Sequence, residues 1–126
     1  MEWTYENDRP IYTQLVEQIS RAVLTGEYSP GGKLPGIREL ASDAGVNPNT
    51  MQKALTELES LNLVFSRRTS GYFVTEDTMK INQMRNQLAI EQTERFLHSM
   101  HALGCSKSEI SSFVKQVQEH MKEEVT

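Results

Sequence analysis

Asn47, Asn49, Thr50, Gln52 and Lys53 crowd one short stretch of this chain. Carboxamides, a hydroxyl and an ammonium can exchange hydrogen bonds and meet an anion. They cannot activate a nucleophile by themselves. The chain shows no Ser/His/Asp set, no paired carboxylates placed for acid–base work and no glycine-rich phosphate loop, so an enzyme is not expected. What such a set does well is read nucleic-acid base edges and hold phosphates. Asparagine and glutamine suit adenine, and lysine meets the backbone as a point charge. Arg38 upstream and Arg67 and Arg68 downstream add cations for the same task.

The elements needed to present these side chains can be read around them. Pro10 suits the start of a helix. Ile11, Leu15, Ile19, Ala22 and Val23 then recur at spacings of three and four, until Gly26 ends the pattern. Ser29-Pro30-Gly31-Gly32 is a turn-rich connector. A second helix is expected from about Gly36 to Ala44, with Ile37, Leu40 and Ala41 inward and Gly45 in the left-handed position that stops it. Asn47 is a good N-cap and Pro48 a good first-turn residue for a third helix. Met51, Ala54, Leu55, Leu58 and Leu61 form its apolar stripe, which leaves Asn49, Thr50, Gln52 and Lys53 on the opposite face. After Asn62 the period changes to that of two short strands, Leu63–Arg67 and Tyr72–Thr75, with Arg68–Gly71 as the hairpin loop. Three helices and a hairpin make a winged helix-turn-helix, expected over residues 1–77.

From Thr78 the pattern is helical again. Ile81, Met84, Leu88, Phe96, Met100 and Leu103 form one stripe, and Gly104 stops it. Ser106-Lys107-Ser108-Glu109 matches a capping box. It opens a last helix striped by Ile110, Phe113, Val114, Val117 and Met121. Two helices cannot bury both stripes alone, so residues 78–126 are expected to be a two-helix dimerisation hairpin. Leu88, Phe96, Met100, Leu103, Ile110, Phe113, Val114 and Val117 would then meet a second copy. The fold class is mainly α with a small β-hairpin. An isologous dimer would also match the two-fold symmetry of a palindromic operator in double-stranded DNA.

The charge balance bears on that reading. The 126 residues carry a net charge of −4. The acidic excess lies in residues 1–77, with seven Lys/Arg against eleven Asp/Glu, and so in the half expected to touch DNA. Many of those acids fall early: Glu2, Glu6, Asp8, Glu17 and Glu27. Lys33, Arg38, Lys53, Arg67 and Arg68 fall within or beside the expected binding surface. Local potential steers a phosphate backbone, so a bipolar, salt-sensitive domain is expected. The single Cys105 excludes an internal disulfide framework. His98 and His101 share a helix face and His120 lies further on, but no carboxylate or cysteine joins them at ligand spacing, so no metal or other cofactor is expected. No apolar run approaches the ~20 residues that span a bilayer. The acidic start MEWTYENDRP does not read as a secretory signal. A cytoplasmic protein is expected. Trp3, Tyr5 and Tyr12 are expected to pack an N-terminal arm onto the winged domain or a partner copy.

Four blocks in order, Asp8–Ile19, Gly31–Ala41, Gly45–Glu59 and Ser66–Val74, resemble the GntR family of bacterial transcription regulators. The short tail, with Phe96–Gln116, resembles its YtrA subfamily. The resemblance implies an operator-binding homodimer, usually a repressor, often controlling a transporter operon. It implies DNA contacts at Arg38, Asn47, Asn49, Thr50, Gln52 and Lys53, and at Arg67, Arg68 and Gly71 in the wing. This chain departs from the family pattern at three places. It has Gly36 where serine is usual, Thr69 where glycine is usual, and Gln52 where arginine is frequent. The last change exchanges a guanine reader for an amide that prefers adenine. A small-molecule effector at the dimer interface, with DNA release as readout, is the alternative function. The tail is too short to enclose a dedicated effector domain. A protein–protein adaptor is disfavoured, because an adaptor should expose an apolar patch where the third helix is polar.

Overall fold

The structure, a computed structural model, describes residues 1–125. Helix α1 spans Ile11–Leu24. Pro10 precedes it, and the proline ring holds φ at −56°, close to a helical entry. Leu15, Ile19 and Val23 bury one face of α1. Helix α2, Ile37–Ala44, ends on Gly45 at φ 71° and ψ 34°. That left-handed turn lets the Val46 N–H donate to the Ala41 carbonyl at 2.9 Å and the Gly45 N–H to that of Ser42 at 3.2 Å. Helix α3 follows over Pro48–Ser60. Asn47 caps it as expected, its Oδ1 accepting from the Asn49 N–H at 2.8 Å.

Met51, Ala54, Leu55 and Leu58 of α3 are each 0% exposed. The helix packs against α1, against α2 and against the first strand. It is therefore the centre of the winged unit. Every residue on its outer face is held by burial of the inner one.

Strands β1 (Val64–Arg67) and β2 (Gly71–Val74) pair antiparallel, with Val64 opposite Val74 and Arg67 opposite Gly71. The end of the connector before α2 adds a third, very short edge. Lys33 bridges Phe73, the Leu34 N–H donates to the Tyr72 carbonyl at 2.9 Å, and the Val74 N–H donates to that of Gly32 at 2.8 Å. That pairing joins the entry of α2 to the wing, so helix and hairpin cannot shift independently.

The N-terminal arm has no regular structure but is tied down. Gln14, 2% exposed, accepts from the Glu6 N–H at 2.7 Å and donates to the carbonyls of Glu6 and Arg9. Its side chain replaces the missing strand partner of the arm. Trp3 Nε1 donates to Asp43 at 2.9 Å and the Tyr5 hydroxyl to the Ala44 carbonyl at 2.7 Å. The arm thus crosses from α1 to the end of α2. Trp3 and Tyr5 pack on the winged unit, the expected destination for the arm. Tyr12 lies elsewhere, beneath Lys53.

Helix α4 runs over Thr78–Ala102 and α5 over Lys107–Val125. Asp77 accepts from the Lys80 N–H at 3.1 Å and starts α4. The capping box at α5 forms in both directions. Ser106 N–H donates to Glu109 Oε1 at 2.9 Å and Glu109 N–H to Ser106 Oγ at 3.2 Å. The serine bonds hold the Glu109 carboxyl below its ordinary pKa.

The chain divides into two compact units, Met1–Arg85 and the residues from Asn86 onward. The division falls inside α4, because Ile81 and Met84 belong to the core of the first unit. In the second unit Ile110 is buried, Met100 and Val114 are half-buried, and Leu88, Phe96, Leu103, Phe113 and Val117 are exposed. Helices α4 and α5 make few close backbone approaches to each other. No helix among the described residues is long and apolar enough to cross a membrane.

Candidate nucleic-acid interface

The nine residues expected to contact DNA all lie in the first unit. Asn47 is exposed at the N-cap of α3, Asn49, Gln52 and Lys53 are exposed on the helix, and Thr50 is half-buried. Arg38 is exposed at the second residue of α2, and Arg67, Arg68 and Gly71 are exposed at the wing. The exposed face of α3 is polar throughout, opposite a face that is fully buried. Asn47 is the least free of the set, because its Oδ1 already serves the helix start.

Among the described residues no carboxylate lies within ion-pair distance of Arg38, Lys53, Arg67 or Arg68. Arg9, away from this set, is held by Glu17 at 2.6 Å and Glu6 at 3.4 Å. Asp43, a sequence neighbour that could have neutralised Arg38, is bonded to Trp3 instead. Arg38, Lys53, Arg67 and Arg68 are thus free to meet an anionic backbone, as are the other lysines and arginines apart from Arg9 among the described residues.

Three of the side chains are held by aromatic residues, two over a ring and one through a hydroxyl. The Lys53 ammonium sits 3.9 Å from the centre of the Tyr12 ring, and the Arg67 guanidinium 4.5 Å from that of Phe73. Each cation–π contact narrows the range of a long side chain while keeping its charge exposed. Gln52 Nε2 donates to the Tyr72 hydroxyl at 2.9 Å and to Thr56 Oγ1 at 3.3 Å. This bond links the reading helix directly to the wing. Glu59, further along α3, accepts from both the N–H and the hydroxyl of Ser66 in β1, which holds its carboxyl below the ordinary carboxylate range.

Tyr12 and Tyr72 are not singled out as contact residues by sequence spacing, and Lys33 is expected only within or beside the binding surface. The Lys33 stem passes close to Gly71, its Cε 3.6 Å from where a Cβ on that glycine would stand. Only a basic residue two positions before Pro35 hints at this in the sequence.

The wing tip carries a strained residue. Thr69 has φ 58° and Gly71 φ 98°. Glycine accepts such angles freely, but a β-branched residue does not. Thr69→Gly should stabilise the protein by about 1 kcal/mol. That is the left-handed penalty of ~1–2 kcal/mol less the chain entropy that glycine loses on folding. The urea midpoint of Thr69→Gly, compared with Thr69→Ala, checks this. A midpoint for Thr69→Gly below that of Thr69→Ala by glycine's full entropy loss would show that the tip carries no strain.

Residues 11–74 match the family described as "Bacterial regulatory proteins, gntR family". The chain is 36% identical over 115 residues to the HTH-type transcriptional regulator YhcF of Bacillus subtilis, spanning 91% of this chain and 95% of that protein. It is 30% identical to the HTH-type transcriptional repressor YtrA of the same organism, spanning 90% of this chain and 88% of that one. A GntR family transcriptional regulator from Listeria monocytogenes superposes with a TM-score of 0.84 at 39% identity, covering 89% of this chain and 98% of the other. These relatives are regulators rather than enzymes, and their likeness covers about nine tenths of this chain, so it reaches beyond the winged unit into the tail. Together with the winged helix-turn-helix, they place this chain in the gntR family of bacterial regulatory proteins, as a transcriptional regulator with YtrA-type homologues.

Proposed function

We propose that the protein is a cytoplasmic repressor that binds a palindromic DNA operator as a homodimer. The observation that carries this reading is the outer face of α3. Asn49, Gln52 and Lys53 stand exposed on a helix whose inner face is wholly buried. An α-helix fits the major groove of B-DNA, and amides on its first turns reach base edges. Arg38, Lys53 and the wing arginines meet phosphates, which positions the helix without specifying sequence. The exposed apolar side chains of the second unit supply the surface for a second copy. A two-fold axis then sets two α3 helices about one DNA turn, ~34 Å, apart or in a shorter overlapping arrangement. The name of the relative YtrA supports a repressor over an activator.

Selection from a random duplex library at about 150 mM salt tests the reading. A two-fold-symmetric motif is expected. Affinity for it should fall with salt at a log–log slope of about −4 to −7. The steeper value holds if all eight cations of a dimer touch phosphate, the shallower if some read bases instead. A library that returns no enriched sequence overturns the reading.

A further inference from the structure

The hydrogen bonds around Gln52 constrain what it can offer a base. The Thr56 hydroxyl donates its only hydrogen to the Gln52 carbonyl at 2.9 Å. Its oxygen can then only accept from the Gln52 side chain, so the amide must turn its NH₂ toward Thr56. The second N–H of that NH₂ points to the Tyr72 oxygen at 2.9 Å. Both amide hydrogens are therefore engaged within the protein. Gln52 Oε1 is left as a bare acceptor. Tyr72, accepting from Gln52, keeps its own hydrogen free to donate. The Tyr72 ring packs against the hydrophobic core, so this hydroxyl is anchored rather than mobile.

We propose that Gln52 and Tyr72 together form one composite base reader, with Gln52 Oε1 as acceptor and the Tyr72 hydroxyl as donor. The proposal rests on the DNA-binding reading above and names the base class that this part of the surface takes. In the major groove adenine offers an amino donor, N6, beside an acceptor, N7. Guanine offers two acceptors, O6 and N7. The composite reader complements adenine. Against guanine it sets an acceptor on an acceptor. A glutamine with both N–H groups free has no such constraint, since it can rotate and donate to guanine. Tyr72 is thus a specificity-determining residue contributed by the wing to a base contact usually assigned to the helix alone.

The test compares the wild type with Tyr72→Phe, Gln52→Ala and the double variant in the same library selection, with thermal unfolding and salt dependence recorded for each. Tyr72→Phe keeps the ring and its packing, so folding and the salt slope should hold. The expected result is an adenine preference at one position of each half-site. Tyr72→Phe should weaken adenine over guanine there by about tenfold, within the range for one bidentate base contact. Gln52→Ala should relax the same position, and adding Tyr72→Phe to it should change nothing more there. If Tyr72→Phe leaves every base preference intact, or lowers affinity for all sequences alike, the composite reader is wrong while DNA binding stands. A wild-type selection with no motif removes both.

Discussion

Phe113→Glu will turn the protein into a monomer and weaken its hold on a palindromic operator by two to four orders of magnitude. Phe113 is 44% exposed on α5 and Val117, one turn on, is 55% exposed. Leu88 at 42% and Phe96 at 41% stand equally open on α4. Burying an apolar side chain of this size contributes about 1.5–3 kcal/mol, and single chains rarely leave so many in water without a partner. Helices α4 and α5 do not satisfy each other, because they approach closely at few places. A glutamate in the covered face would bury a charge with no counter-ion, at an effective penalty of several kcal/mol. Once the dimer is lost, each α3 binds its half-site alone, and linked binding typically exceeds single-site affinity by ~10²–10⁴. Sedimentation equilibrium at low micromolar protein reads the first effect, and titration of a symmetric duplex reads the second. Ser111→Glu, half a helical turn from Phe113, should leave both unchanged. A Phe113→Glu protein that sediments as a dimer would show that this face is not the interface.

The parts of this molecule that can be read from its sequence are those whose signals are local. Asn47-Pro48 marks the start of α3 because a cap and a fixed φ act within one turn. The Ser106–Glu109 box opens α5 for the same reason. The apolar stripes of α1 and α3 follow from a period of three to four residues and are buried along their middles, whereas Ile11 at the start of α1 is 39% exposed and Leu61, the C-cap of α3 and not part of its buried stripe, is 37% exposed. Features that depend on distant partners are not legible. The Lys33 edge strand joins Phe73 through a single bridge, too short for any alternation to show. The links from Gln52 to Tyr72 and from Lys53 to Tyr12 arise only when α1, α3 and the wing are packed together.

The stripe of α4 illustrates a different limit. Ile81, Met84 and Leu88 continue one pattern without a break, which suggests a single segment from Thr78. Yet Ile81 and Met84 complete the core of the first unit, and the division into units comes after Arg85. Periodicity says which face of a helix is apolar but not what covers it. The departures from the family pattern fare differently. Thr69 stands where glycine is usual and takes a left-handed φ of 58°, so the motif position carries a conformational demand. Gly36 stands where serine is usual, at φ −60° and ψ 158°, with open space around a Cβ there. Nothing in the backbone requires glycine at Gly36, and its only consequence is a cap without a side-chain hydrogen bond.

The largest effect on folding should come from Leu55→Ala. Leu55 is 0% exposed at the centre of α3, the element that joins α1, α2 and β1. Truncating a buried leucine costs about 2–5 kcal/mol, most where the surroundings cannot collapse into the space. Here the walls come from separate elements that are themselves braced, α1 by the Gln14 latch and the wing by the Lys33 and Glu59 ties. Collapse is therefore restricted, and a loss of about 3 kcal/mol or more is expected. Domains of this size hold only ~0.05–0.15 kcal/mol per residue, so one substitution removes a large share of the total. At ~4–8 °C per kcal/mol, the melting temperature should fall by roughly 12–25 °C, read at fixed protein concentration because the proposed dimer would add to apparent stability. Lys53→Ala, two residues away on the outer face, should barely move the melting temperature and should weaken binding to all DNA sequences alike. The two variants separate what α3 does on its two sides: one face holds the fold, the other meets the ligand. A Leu55→Ala protein melting within about 3 °C of the wild type would mean that the core around α3 rearranges freely. A helix free to shift could not keep Gln52 and Lys53 in a fixed register with the groove.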